Sequence, residues 1–126
     1  MLLLAAYRLT GDRRALRLAE GFADYYAKND PPPPWEIVRA HTYASIIGLY
    51  ADLYDLLEGP EHLAQAERYA QLAIERLFWR GLFRGATSID HYEGDLMVGN
   101  LVYNLAWLHA LKSRAPVEVP PNYFNR

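Results

Sequence analysis

Leu16, Ala19, Glu20, Phe22 and Ala23 recur in the same order, at one constant offset, as Leu63, Ala66, Glu67, Tyr69 and Ala70; the same offset carries Tyr7 onto Tyr54. Repetition over a few tens of residues means that one supersecondary unit is used more than once, each copy burying its apolar face on the next. The repeated residues stand at helical spacing, so the unit is a helical hairpin. Further on, Tyr50 and Tyr54 correspond to Tyr103 and Trp107 at a somewhat larger offset. The unit is about 50 residues long, above the roughly 34 residues of a tetratricopeptide repeat and slightly above the HEAT range.

The helices follow from this register. Leu2 to Leu9 reads as the end of a helix, with no Ser, Thr, Asp or Asn before it as a cap. Gly11 is placed to take a left-handed turn, and Asp12 to cap an amphipathic second helix from Arg13 to Lys28. Asn29, Asp30 and the run Pro31 to Pro34 stop that helix. A central helix is expected from Trp35 to Leu57, and its apolar residues fall on nearly every side. A helix of that kind is enclosed by others. Gly59 and Pro60 make the next tight turn, with Pro60 at the first position of a fourth helix running to Phe78. A long segment from Trp79 to Gly94 leads to a fifth helix, Asp95 to Ser113, again apolar on most sides. The expectation is an all-α domain over 1–114, with no strand in its body, followed by an extended tail over 115–126 that is rich in proline.

The connections alternate. Both short turns, at Gly11 and Gly59, join an inner helix to an outer one, while both long loops join outer to inner. Antiparallel helices put all the short turns at one end and all the long loops at the other. The polar starts of two inner helices, Arg39 to Tyr43 and Asp90 to Asn100, are therefore expected side by side on one face. Long loops on a rigid scaffold are where sites are built.

Composition removes several classes of function. The net charge is -2 with scattered Arg residues, which gives no case for nucleic-acid binding. No run approaches the roughly 18 apolar residues of a membrane span, and the opening residues make a poor signal peptide. The reading is a soluble protein of the cytoplasm, or of a bacterial periplasm or exterior. With no cysteine, thiolate metal sites and disulfides are excluded; four His without an HExxH pattern give no zinc site, and no cofactor is expected. Ten Tyr, three Trp and four Phe stand out, since such rings suit both helix packing and stacking on sugars.

The run His41-Thr42-Tyr43-Ala44 leading to Gly48-Leu49-Tyr50-Ala51-Asp52-Leu53-Tyr54, together with Tyr7-Arg8-Leu9-Thr10-Gly11-Asp12 before Leu16 and Ala19, resembles the hairpins of the six-hairpin (α/α)6-toroid carbohydrate-active enzymes. These include glycoside hydrolases and polysaccharide lyases, which bind sugar in a funnel lined by inner-helix starts. The resemblance spans about Leu2 to Lys112. It implies a partial toroid corresponding to the C-terminal half of such an enzyme, and an oligosaccharide or polysaccharide as partner. A closed toroid needs about six hairpins and this chain supplies two and a half, so the unclosed edge implies a homodimer or further hairpins upstream.

Either chemistry has candidates on the long-loop face. Hydrolysis needs two carboxyl groups roughly 5 to 10 Å apart, which Asp90, Glu93 and Asp95 can supply, although Asp95 also stands where a helix cap belongs. Elimination next to a uronate needs a base, for which His41, Tyr43, His91 and Tyr92 qualify, and a group to hold the acid, for which Arg39 and Asn100 qualify. Trp35 and Trp79, at the loop ends, are candidate sugar platforms, and Asn104 and His109 read as satisfied core or helix contacts. The competing reading is a non-enzymatic helical-repeat module that binds a protein or itself.

Overall fold

The computed structural model describes residues 2–88 and 97–114. They form an all-α fold of five helices: α1 Leu2–Thr10, α2 Arg13–Lys28, α3 Ala40–Leu57, α4 Pro60–Leu77 and α5 Val98–Ser113. Local chemistry sets most of the boundaries. Gly11 takes φ 70° and closes α1, its N–H donating to the Tyr7 carbonyl at 2.8 Å. The Asp12 side chain accepts from the Arg14 N–H at 2.9 Å and caps α2. Bonding to Arg14 also holds the Asp12 carboxyl below its ordinary range. At the second short turn the left-handed residue is Glu58, at φ 56°, while Gly59 caps α4 and Pro60 opens it.

Helix α3 is the axis of the core. It packs along α4 and α5 and, over a smaller contact, against α2. Ala40, Ala44, Ile47, Ala51 and Leu53 are wholly buried, alternating with the enclosed rings of Tyr43 and Tyr50. The Tyr50 hydroxyl donates to the Ala23 carbonyl of α2, and the Tyr69 hydroxyl of α4 donates to the Tyr26 carbonyl at 3.3 Å. The Tyr50 and Tyr69 rings stack with centroids 6.3 Å apart. Burial pushes the Tyr50 phenol up to about 12 and raises that of Tyr69. Against α5, Gly48 removes the side chain that would otherwise hold the helices apart: a Cβ there would stand 2.6 Å from Asn104 Oδ1. On the same side Trp107 Nε1 donates to the buried Asp52 carboxylate at 3.1 Å.

The repeat is visible in the burial. Ala19 and Ala66 are both fully enclosed and Ala23 and Ala70 are both buried, whereas Tyr69 is enclosed and its counterpart Phe22 is 45% exposed. Tyr69 meets Tyr26 and Tyr50, while Phe22 lies on the side of α2 turned away from α3 and α4. Helix α1, expected as an inner helix, buries only Leu4 fully and leaves Leu2 and Leu9 exposed.

Three expectations need correction. The central helix begins at Ala40 rather than Trp35, because the backbone before it bonds across to the second long connection. Helix α4 ends at Leu77 rather than Phe78. The second connection is not free of strands: Phe78–Trp79 pairs antiparallel with Leu82–Phe83 around Arg80 and Gly81, both at positive φ (51° and 90°), a two-residue turn whose twist matches its strands. This ribbon extends α4, and its Phe83 packs against the helical core. The fifth helix is described from Val98; Asp95, the expected cap, lies outside the described residues, as does the expected tail.

Candidate functional site at the joined long connections

The segment before α3 and the segment after the ribbon run side by side. Arg39 and Ala86 form an antiparallel bridge. It is flanked by the Ala40 N–H donating to the Gly85 carbonyl at 2.7 Å and the Thr87 N–H donating to the Val38 carbonyl at 2.9 Å. Thr87, 3% exposed, adds a side-chain staple: its hydroxyl accepts from the Val38 N–H at 2.8 Å and donates to the Glu36 carbonyl at 2.7 Å. Buried backbone groups of a loop need such partners, and each connection here supplies them to the other.

Two arginines fasten this junction to α4. Arg76 donates to the Pro32 carbonyl at 2.6 Å and to the Tyr43 hydroxyl at 2.9 Å, tying the polyproline run to α3. Arg84 donates to the Arg76 carbonyl in the last turn of α4 at 2.8 Å, a favourable place for a cation. Neither arginine stood out in the sequence. The signal for Arg76 was its place inside the apolar stripe of α4, three residues after buried Ala73 and next to buried Leu77. Thr87 belonged to a conspicuous polar run, but nothing local showed that its hydroxyl spans two segments.

The predicted site residues fare differently. Tyr43 is enclosed and its oxygen accepts from Arg76, which makes it part of the support rather than of an open surface. His41, half-buried in the first turn of α3, has a buried Nδ1 without a hydrogen-bond partner among the described residues. Arg39 is exposed at the bridge. Trp35 is 81% exposed, the barest large ring on this face. Trp79 is half-exposed, and the guanidinium groups of Arg80 and Arg84 lie 5.6 and 5.8 Å from its ring centre. Its π-surface is thus already engaged by cations, leaving Trp35 the better platform. Asn100, in the first turn of α5, lends its carbonyl to the Asn104 amide at 2.9 Å. Asp90, His91, Tyr92 and Glu93 lie outside the described residues. Trp35, Arg39, His41 and the bridge thus belong to one neighbourhood, at the end opposite the short turns.

Among the described residues, depressions also lie elsewhere. One of about 610 Å³ runs between α4 and α5 past Ile74, Leu105 and the exposed His109. One of about 390 Å³ lies on α2, and a polar one of about 510 Å³ lies at the short-turn end around Asp55, Glu58 and Arg114. Among the described residues no three His, Asp or Glu side chains gather as metal ligands, and no helix is long and apolar enough to cross a membrane. In comparisons with protein-family models, curated proteins and solved structures, nothing matches the chain.

Proposed function

We propose that the joined long connections form a carbohydrate-binding face, with oligosaccharide or polysaccharide chains as ligand and glycoside hydrolysis or polysaccharide elimination as the chemistry. What supports the reading is the Arg39–Ala86 bridge at the start of a buried helix, with the exposed indole of Trp35 four residues before it and the imidazole of His41 two residues after. A flat ring with a polar edge suits a pyranose face, and Arg39 suits a carboxylate or hydroxyl pair. In this arrangement Trp35 is the stacking platform and the imidazole of His41 is the group that takes or gives a proton. Asp90, His91, Tyr92 and Glu93 from the second connection, and Asn100 from α5, are the partners proposed for it.

The test is calorimetric titration with neutral and uronate oligosaccharides. Trp35→Ala, His41→Ala and Glu93→Ala should each weaken binding about tenfold, the scale of one lost aromatic or charge-assisted contact. Wild-type affinity in all three variants would remove the case for this face. A second reading, a non-enzymatic helical-repeat module, is favoured by one observation: the outer side of α2 exposes Leu18, Phe22 and Tyr25 together.

A further inference from the structure

Helix α5 ends as α3 does. Glu58 closes α3 in the left-handed region, at φ 56° and ψ 18°, and Arg114 closes α5 there, at φ 49° and ψ 31°. Each cap donates its N–H back into the last turn of its helix, Glu58 to the Tyr54 carbonyl and Arg114 to the carbonyls of Ala110 and Leu111. In both places a proline stands two residues on, Pro60 and Pro116. A left-handed residue at a helix end turns the chain away from the helix axis, and outside glycine it is uncommon. After Glu58 the turn leads back beside α3 as α4, and the two helices pack along each other. Among the described residues no such returning segment lies beside α5. What lies there is the groove of about 610 Å³ between α4 and α5, apolar along Ala70, Ile74, Leu105 and Leu108, with Ile74 still 42% exposed.

We infer that the chain doubles back after Arg114 and lays Val117 to Val119 in this groove as an extended strap, the counterpart of α4 on α3. Proline decides its form. A helix opened by Pro116, as α4 is by Pro60, would hold Pro120 and Pro121 in its interior, where each removes a hydrogen bond and clashes with the preceding turn. An extended run alternates its sides, so Val117 and Val119 face one way and Glu118 the other. The dimensions agree. Lys112 of α5 is bridged to Glu67 of α4, and Leu105 and Ile74, seven residues from each, line the same groove. That stretch is about 10 Å at the helical rise, which about three extended residues cover. With Ala115 and Pro116 in the turn, Val117 to Val119 are those three. Charge agrees as well. The acid of the rim, Glu67, is taken by Lys112, while Arg68 lies over the Tyr69 ring at 5.7 Å and has no ion pair among the described residues. Glu118, the one acid of residues 115–126, supplies its partner. The polar depression that Arg114 also lines offers Glu118 the like charges of Asp55 and Glu58 instead. The groove lies away from the joined connections, so the inference does not rest on the carbohydrate reading.

The test is paramagnetic broadening of amide signals in the full chain, which has no native cysteine to compete for the label. A nitroxide on Asn122→Cys should broaden Ile74 and Leu105 more than Asp55 and Glu58, although the latter pair lines the depression that reaches Arg114 itself. Adding Val119→Asp to the labelled chain should return the Ile74 signal with the helical spectrum unchanged. Independently, Val119→Ala and Ile74→Ala should each lower the denaturant midpoint, and together by less than the sum of the two, as touching residues do. Broadening centred on Asp55 and Glu58 or spread evenly over the chain, an Ile74 signal that stays broad with Val119→Asp, additive midpoint shifts, or broadening passed only from a labelled chain to an unlabelled one in a mixed sample would each overturn the inference.

Discussion

Two buried positions decide most at the scale of the residue. Tyr50 is enclosed against α2 and α4, and its phenol is pushed from 10.0 up to about 12 because burial penalises the phenolate. A group whose pKa is raised by folding contributes stability that is complete below its unfolded value and is lost as pH climbs toward the folded one. The protein should therefore lose thermal stability between about pH 10 and 12, Tyr69 adding to the same loss. Tyr50→Phe should cost about 1 kcal/mol at neutral pH through the lost bond to Ala23, yet show a shallower decline of Tm above pH 10, measured by calorimetry across that range. Gly48 is the other. Alanine there gains up to about 1 kcal/mol of helix propensity, but its methyl meets the Asn104 side chain, and overpacking costs about 1–3 kcal/mol. Denaturant unfolding should show Gly48→Ala destabilised, with the penalty shrinking in an Asn104→Ala background, a coupling expected only between touching residues.

Among the elements, the long connections behave as one unit. Thr87→Val keeps the shape but leaves the Val38 N–H and the Glu36 carbonyl without their partner, a loss of about 2 kcal/mol. Arg76→Met removes the tie from Pro32 to Tyr43 and should cost about as much. Both losses are read from denaturant midpoints. The helices and their turns were legible in the sequence wherever the cause is local: Gly11 and Asp12, Pro60 after Gly59, and the alanine stripes that bury alike in both hairpins. The start of α3 was not legible, because it depends on bonds such as that from Val38 to Thr87, 49 residues away. The ribbon was missed for a related reason. Arg80 takes a left-handed conformation that Asn or Asp would have announced. Within the site, Trp35, Arg39 and His41 were singled out from residue type and from their place at the loop end and near the helix start, whereas the contacts of Arg76, Arg84 and Thr87 act across the fold.

For the whole molecule, the alternation of short turns and long connections is what makes a face. Short turns at Gly11 and Gly59 leave the opposite end to the connections, and the Arg39–Ala86 bridge joins these into one surface over the start of α3. The chain has no cysteine, so a pair introduced at these positions has no competitor. The flanking hydrogen bonds make Arg39 and Ala86 a pair that is not itself hydrogen-bonded, whose Cα atoms stand about 4.5 Å apart, within the range a disulfide spans. Mild oxidation of the Arg39→Cys, Ala86→Cys double variant, followed by mass spectrometry under denaturing conditions, should give one internal crosslink in nearly every molecule with the helical spectrum unchanged. Thiols that stay free, or that link only between chains, would contradict the joined face.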